Sequence, residues 1–324
     1  MGIASLTWRA LTTGDAPALA RAYGLVEAAD DTGEHYSEQD IRDQLDDHSV
    51  ALDRDTRAAL AGDGEIVAFA RVHGAEEIRD VDRIYAEGAV VPAARGRGTG
   101  RALLTWAEER AAHLHRERHP DVPGAVCVEV DERNPSKQAL VRAAGYEAAR
   151  WQHTMTRATP DPLPAVPPAP PGLTVTTYLA DRDDAVRRAH VEAFADHWGA
   201  TPPDEQRWSR WYTGMRAFRP DVSWLVLDGD EVAAYLLTYF WEADAAATGV
   251  REAFLGQLGV RPRWRRRGLG GLLLATALRS YRAAGYERST LTVDTANATG
   301  ALDLYKRAGF AVQGTSVTWA KPLA

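Results

Sequence analysis

The feature that most constrains the fold is an arginine- and glycine-rich turn in residues 260–274, V-R-P-R-W-R-R-R-G-L-G-G-L-L-L. An apolar strand leads into this turn, and a helical stripe of Leu and Ala follows it. Arg265, Gly268 and Gly270 have the spacing [QR]-x-x-G-x-[GA]. Glycines at a helix start allow backbone N–H groups to close around an anion, and the helix dipole adds positive potential. The turn therefore predicts a phosphate site between a strand and a helix.

Other phosphate motifs do not fit this turn, because both the G-K-[ST] of a P-loop and the G-x-G-x-x-G of a dinucleotide fold are missing. An arginine-rich helix start without a ligand remains an alternative. Repetition argues against it, since Arg95, Gly98 and Gly100 recur with the same spacing. A proline precedes the arginine by three residues in both copies.

A second pair of segments supports a duplication. V-D-E-R-N at residues 130–134 corresponds to V-D-T-A-N at residues 293–297, and both lead to a short helix that ends in Ala-Gly-aromatic. Each copy is predicted to contain a strand, helices near residues 15–28 and 183–195, a strand meander, the glycine turn with its helix, a strand, a helix and a final hairpin.

The proline-rich stretch at residues 159–172, T-P-D-P-L-P-A-V-P-P-A-P-P-G, cannot form a helix or a sheet interior. We expect a semi-rigid linker there. It predicts two domains, at residues 1–158 and 173–324, each large enough to bury a core.

Composition excludes several classes of function. The net charge of −7 over 324 residues argues against nucleic-acid binding. The single cysteine, Cys127, lies in an apolar run and is expected in the core of a cytoplasmic protein. We expect no membrane span and no signal peptide, because no apolar run is long enough and no signal pattern is present. We also expect no metal site, because His197 has no second ligand at helical spacing.

With these motifs, the chain resembles the GCN5-related N-acetyltransferase (GNAT) superfamily in tandem form. The resemblance implies an α/β (α+β) fold with two domains, each a mixed central sheet flanked by helices. It also implies acetyl-CoA as co-substrate, bound by the glycine turns, by the strand before each turn and by the two asparagines. The residues so implied are Leu258, Gly259, Val260, Arg265, Arg266, Arg267, Gly268, Leu269, Gly270, Gly271 and Asn297 in the second copy, and Val90, Val91, Arg95, Gly96, Arg97, Gly98, Thr99, Gly100 and Asn134 in the first.

The resemblance also implies a catalytic tyrosine. N-A-T-G-A-L-D-L-Y-K-R-A-G-F at residues 297–310 is similar to a family segment whose tyrosine protonates the departing thiolate, which is Tyr305 here. Val141 stands at that position in the first copy, so we expect the C-terminal domain to catalyse and the N-terminal domain to bind acetyl-CoA at most. A packed aromatic residue on an amphipathic helix is the alternative for Tyr305.

The general base is less defined. Phe254 stands where many family members carry a glutamate, and Glu252, two residues earlier, would share its face of the strand. Glu252 is therefore the candidate, with Glu242 or a chain of waters as alternatives. Glu87 lies on the corresponding strand of the first copy, where a solvated role is equally compatible with its position.

The acceptor is expected to be a small-molecule primary amine held near residues 193–212, where aromatic residues alternate with Asp196 and His197. A core role for the tryptophans in this stretch is an equal alternative. Attack by the amine on a bound thioester is favoured over an acyl-enzyme, because Cys127 lies in a buried type of strand. A peptide acetyltransferase and a non-catalytic acyl-CoA-binding module are the other functions considered, for a monomer or homodimer.

Overall fold

The computed structural model describes residues 6–47, 50–159, 161–297 and 300–323. The elements before the linker are β1 (Thr7–Arg9), α1 (Ala16–Asp30), α2 (Glu38–Leu45), α3 (Leu52–Asp55), β2 (Thr56–Leu60), β3 (Ile66–His73), β4 (Asp82–Val90), α4 (Thr99–Arg118), β5 (Gly124–Asp131), α5 (Pro135–Ala143) and β6 (Glu147–Ala158). Those after it are β7 (Leu173–Thr177), α6 (Asp183–Ala193), α7 (Glu205–Trp208), β8 (Trp224–Asp228), β9 (Glu231–Tyr239), α8 (Glu242–Thr248), β10 (Glu252–Val260), α9 (Leu269–Ala283), β11 (Arg288–Asp294), α10 (Ala301–Arg307) and β12 (Ala311–Pro322).

The contacts of the chain divide it into two units. Unit 1 comprises residues 1–150 and 316–324, and unit 2 comprises residues 151–315. This division differs from the predicted domains, because unit 1 takes its last strand from the C-terminal end of the sequence and unit 2 begins before the linker, within β6. Residues 316–322 of β12 pair with β5 in unit 1, and residues 152–158 of β6 pair with β11 in unit 2.

The predicted final hairpins are wrong. One long strand follows the last helix of each copy, β6 after α5 and β12 after α10. Both strands are 12 residues long. A segment of this length is compatible with a hairpin or with one long strand, so the sequence alone does not distinguish the two.

The strands of the two units have the same topology. The strand order is β1-β2-β3-β4-β5-β12 in unit 1 and β7-β8-β9-β10-β11-β6 in unit 2. Neighbours are antiparallel except for β4–β5 and β10–β11, which are parallel. A parallel pair needs a long crossover, and α4 and α9 supply it. The predicted mixed sheets flanked by helices are thus confirmed.

Local predictions agree with the observed elements. The leucine stripe of α9 is buried, and Cys127 is fully buried in β5. The sequence D-G-D at residues 228–230 predicts a hairpin turn. Asp228 pairs with Glu231 there, so the turn has two residues between the paired ones. The described residues of the proline-rich stretch contain no helix or strand.

Candidate active site

Each glycine turn ends in a helix whose first amides point outward. Gly268 caps α9 with φ 79° and Gly98 caps α4 with φ 84°, both in the left-handed region. The first intrahelical bonds run from the N–H of Leu272 to the carbonyl of Gly268 and from the N–H of Ala102 to that of Gly98. The preceding amides of each helix therefore have no intrahelical acceptor and are available to an anion.

The first arginine of each motif holds the turn in place. Arg265 donates from Nε to the carbonyl of Val260 at 3.3 Å and from Nη2 to the carbonyl of Ala193, at the end of α6, at 3.0 Å. Arg95 repeats the first bond with Val90 at 2.9 Å and forms a bidentate pair with Asp30 at the end of α1. These guanidinium groups tie the turn to a strand and a helix, so they hold the shape of the turn.

The other arginines of the second turn fall into two groups. Arg261 pairs with Glu192 at 2.8 Å, Arg263 pairs with Glu231, and both guanidinium groups lie against Trp264. The side chains of Arg266 and Arg267 have no ion pair with the described residues. The two arginines at the helix start are therefore the ones free to contact an anion.

In unit 2 the parallel strands diverge beside this turn. Pairing of β10 with β11 ends at Leu255↔Leu291, whereas pairing of β10 with β9 continues to Val260 after a bulge at Gly256. The N–H of Arg261 donates to the carbonyl of Ala233 in β9. Amide direction alternates along a strand, so the amide of Gly259 faces β9 and the amides of Leu258 and Val260 face away from it. These two amides point into the gap between the diverging strands β10 and β11, which we call the fork.

Unit 1 has the same fork. Pairing of β4 with β5 ends at Tyr85↔Cys127, and β4 continues along β3 to Val90. The N–H of Val91 donates to the carbonyl of Val67 at 2.9 Å, so the amide of Val90 faces the fork. Of the two valines predicted to bind the co-substrate, Val90 has the available amide.

Gly259 is required by a close approach. A Cβ added there would lie 2.4 Å from the Tyr235 ring, which is shorter than any normal contact. The ring of Tyr235 therefore packs directly on the backbone of β10, and its hydroxyl bonds to Nδ1 of His190 at 2.7 Å. Gly259 shapes the strand beside the fork rather than offering its amide.

Tyr305 and Val141 occupy equivalent positions. The N–H of Phe310 donates to the carbonyl of Tyr305, and the N–H of Tyr146 donates to that of Val141, in the same turn after each helix. The Tyr305 side chain is 7% exposed and packs against Phe310. Its hydroxyl makes no hydrogen bond within the described part of the chain, and burial raises its pKa, so the group stays protonated.

Asn297 lies beside the predicted acceptor segment. Its Nδ2 is 3.3 Å from Nε2 of His197, whose ring packs at a tilt against Phe194 just after α6. In unit 1, Asn134 caps α5 and its Nδ2 lies 3.3 Å from Asp30. The second unit thus brings Asn297, predicted to bind the co-substrate, next to His197, predicted to line the acceptor cleft.

A family model supports these parallels. The model for the acetyltransferase (GNAT) family matches residues 22–145 and 184–310, once in each copy. The chain belongs to the GNAT acetyltransferase family. It is a tandem member and an N-acetyltransferase, and enzymes of this family use acetyl-CoA.

Similar proteins agree with a tandem GNAT chain. A mycothiol acetyltransferase of Geodermatophilus obscurus is 33% identical over 275 residues, covering 81% of this chain and 80% of that protein. The Salinispora tropica protein of the same name is 32% identical over 310 residues, covering 92% and 91%. A solved GCN5-related N-acetyltransferase from Sphaerobacter thermophilus has a TM-score of 0.76 at 26% identity, covering 98% and 96%. A tandem GNAT protein from the clavulanic acid biosynthesis pathway, with a TM-score of 0.70 at 18% identity over 99% of both chains, shares the fold.

Glu252 and Glu242, the candidates for the general base, differ in their partners and in their exposure. Glu252 forms an ion pair with Arg288, its neighbour across the β10–β11 pair, three residues before the strands diverge. Phe254 packs edge-on against Trp241 at 5.3 Å between ring centroids. Glu242 begins α8, and its side chain is 83% exposed. Of the two carboxylates, Glu252 remains the less exposed.

An aromatic and histidine network covers the sheet on the side of α6. His190 is buried between Phe194, Trp208 and Tyr212, and Trp208 donates from Nε1 to Asp183 at 2.8 Å. Burial lowers the pKa of His190 to about 4, so its ring is neutral near pH 7. Trp208 is 1% exposed, which favours the core role for this tryptophan. The sequence pattern did not reveal the His190–Tyr235 bond, because the two residues lie in different elements.

The described residues contain neither a membrane-spanning helix nor a metal-binding cluster. None of the helices has the length and apolar character that a membrane span requires. No group of three or more His, Cys, Asp or Glu side chains in that part of the chain is placed to hold a metal ion.

Proposed function

We propose that the chain transfers the acetyl group of acetyl-CoA to the primary amine of a small molecule, and that unit 2 carries out the transfer. The observation that carries this proposal is the asymmetry between Tyr305 and Val141. Two equivalent helices follow two equivalent forks, and one of them presents a protonated hydroxyl without a partner among the described residues. A proton donor is what a departing thiolate needs.

The residues around the second turn fit acetyl-CoA. The amides at the start of α9 and the side chains of Arg266 and Arg267 would hold its pyrophosphate. The amides of Leu258 and Val260 would donate to its acyl-bearing arm in the fork. A Cβ added at Gly268 meets no atom within 4 Å, so the approach to these amides is open. Acetyl-CoA would supply an activated acyl group as a thioester.

Unit 1 offers a matching site for acetyl-CoA without the proton donor. The amides from Gly96 to Gly100 and the amide of Val90 correspond to those of the second turn. Without a hydroxyl at the position of Val141, this unit would bind acetyl-CoA and leave amine turnover to unit 2.

We favour direct attack by the amine on the thioester. Cys127 is fully buried, and burial raises the pKa of its thiol to about 11, which removes it as a nucleophile. Tyr305 would give its proton to the leaving sulfur. The amine would lose its proton to Glu252 or to water.

The names of two relatives support a choice of acceptor. Two proteins named mycothiol acetyltransferase are 33% and 32% identical to this chain. We therefore propose that the amine of desacetylmycothiol is the first acceptor to test. Phe254 at the expected glutamate position distinguishes the chain from the family pattern, so other aminosugars belong in the same panel.

The test is release of CoA from acetyl-CoA with a panel of acceptors: desacetylmycothiol, aminoglycosides, amino acids and short lysine peptides. The proposal predicts saturable release with one small amine. Turnover of peptides alone would instead identify a peptide acetyltransferase. Binding of acetyl-CoA without release for any acceptor would support a non-catalytic acyl-CoA-binding module and contradict the proposal.

A further inference from the structure

Lys137 stands out in the first unit. The chain contains three lysines against 35 arginines, and Lys137 is the one at the start of α5. Its backbone N–H donates to Oδ1 of Asn134 at 2.9 Å, so it follows directly on an asparagine predicted to lie beside acetyl-CoA. Its side chain is partly buried and has no hydrogen bond or ion pair with the described residues.

The surroundings of Lys137 place it at the fork of unit 1. Glu87 on β4 and Glu129 on β5 each lie two residues beyond the last β4–β5 pair. Both carboxylates act electrostatically on Lys137, together with Glu34 and Asp30. Lys137 therefore lies near the end of β5, where β4 and β5 cease to pair.

The neighbouring carboxylates are largely engaged. Glu87 binds Arg71 at 2.6 Å and His73 at 2.8 Å, which holds its pKa well below the ordinary value. Glu129 accepts from the hydroxyl of Ser316. Glu34 accepts a longer bond from Tyr36 at 3.2 Å, and desolvation raises its pKa although its surface remains exposed. Glu34 is thus exposed and less tightly bound than Glu87, which leaves its carboxylate accessible to a proton.

The charge of this fork is specific to unit 1. By the alignment of the two copies, Gln257, Thr292 and Ala301 stand in unit 2 where Glu87, Glu129 and Lys137 stand in unit 1. The second fork therefore carries no corresponding amine.

Two effects favour the neutral form of the Lys137 amine. Desolvation lowers its pKa, and its place in the first turn of α5 sets it against the positive end of the helix dipole. An arginine could not respond in this way, because its guanidinium does not lose its proton in proteins. A lysine here, in a chain that otherwise uses arginine, supplies an amine that can act as a nucleophile.

We propose that Lys137 is an internal acetyl acceptor, modified by acetyl-CoA bound at unit 1. This inference rests on the proposed acetyl-CoA site of that unit. Nζ of Lys137 forms the new amide bond with the acetyl carbon while the carbon–sulfur bond breaks. The amine proton passes to Glu34 and on to solvent, and the thiolate leaves and takes a proton from water. Acetylation removes the one lysine charge of the fork.

The test is peptide mass spectrometry of the full chain after incubation with isotopically labelled acetyl-CoA. We expect one labelled acetyl group on Lys137, with a rate that saturates in acetyl-CoA and falls at least tenfold under excess CoA. Lys306 and Lys321 are internal controls, since Lys306 lies on the helix of Tyr305 and Lys321 is paired with Glu108 at 3.0 Å. An unlabelled acetyl group already present on Lys137 would support the same conclusion.

Two variants separate this inference from the proposed function. Tyr305→Phe should abolish turnover of added amines and leave labelling of Lys137 unchanged. Lys137→Arg should keep the positive charge and lose the label. Lys137 that carries neither a labelled nor an unlabelled acetyl group after the incubation, whether or not unit 1 binds acetyl-CoA, overturns the inference. Equal labelling of all three lysines, rising linearly with acetyl-CoA, overturns it as well.

Discussion

At the scale of single residues, burial sets the protonation state of the groups that matter. Tyr305 keeps its proton, Cys127 keeps its thiol, and His190 stays neutral, each because the charged form is poorly solvated. Tyr305 can therefore donate a proton, and Cys127 is not available as a nucleophile. They favour a single transfer from thioester to amine.

The neutral His190 predicts a pH-dependent stability of unit 2. Its pKa of about 4 in the folded chain lies below the ordinary 6.5, so the unfolded chain binds more protons between these values. The stabilisation is complete above pH 6.5 and is lost as the pH falls towards 4, by on the order of 3 kcal/mol. Urea unfolding at a series of pH values measures it. The slope should flatten in His190→Gln, and an unchanged slope in that variant would contradict the assignment.

Motif spacing could predict some site residues and not others. Tyr305 and Asn297 belong to one local segment, so their order along the chain was enough. His190 and Tyr235 are 45 residues apart in the sequence, and no local pattern predicts their hydrogen bond. Lys137 had one signal in the sequence, the rarity of lysine, but its environment depends on the fork.

At the scale of elements, the two glycine turns have different residues at an equivalent position with left-handed backbone conformation. Arg266 has φ 60°, and its counterpart Gly96 has φ 72°. A left-handed conformation costs a residue with a side chain about 1–2 kcal/mol, whereas glycine adopts it freely. The arginine is held there in the turn that we propose to be catalytic. Its charge beside the helix start is the reason that we infer for tolerating the strain.

Substitutions in this pair of positions should have opposite effects. Arg266→Gly should raise the free energy of unfolding by up to about 1 kcal/mol, because the relief of strain exceeds the greater flexibility of glycine. Gly96→Ala should lower it by about 1 kcal/mol. Chemical denaturation measures both. A destabilised Arg266→Gly variant would show that the side chain makes contacts that outweigh the strain.

Elements with strong local patterns could be predicted, and the forks could not. The hairpin at Asp228 and the buried stripe of α9 follow from turn chemistry and from helical period. The end of pairing at Leu255 and Tyr85 depends on how neighbouring strands curve, which the residues of one strand do not encode. The family resemblance implies only that the strand before each turn binds acetyl-CoA.

At the scale of the whole molecule, the exchange of last strands ties the two ends of the sequence to the fold of unit 1. A strand pairs equally well with either of two equivalent edges, so hydrophobic pattern alone does not choose between them. The continuous division at residues 158 and 173 followed from the linker. The pairing of residues 316–322 with β5 was outside what the linker could indicate.

Removal of residues 316–324 should therefore destabilise unit 1, although these residues follow the C-terminal copy. Val317 and Trp319 are 4% and 6% exposed in the core of that unit, and loss of a buried Trp alone costs about 3–5 kcal/mol. Limited proteolysis should cut the truncated chain within residues 1–150 first. Trp319→Ala should show the same sites more weakly. Protection of unit 1 equal to that of the full chain would contradict the exchange.

The most direct test of the central claim, catalysis by unit 2 through Tyr305, is kcat for CoA release by Tyr305→Phe with the best acceptor. The variant should keep its acetyl-CoA affinity and lose about 10²–10⁴-fold in kcat, the usual contribution of a positioned proton donor. Tyr281→Phe is the matched control, since it removes a buried hydroxyl of the same unit that bonds to Thr238 at 2.7 Å, and it should retain kcat. A Tyr305→Phe enzyme with unchanged kcat would contradict the account.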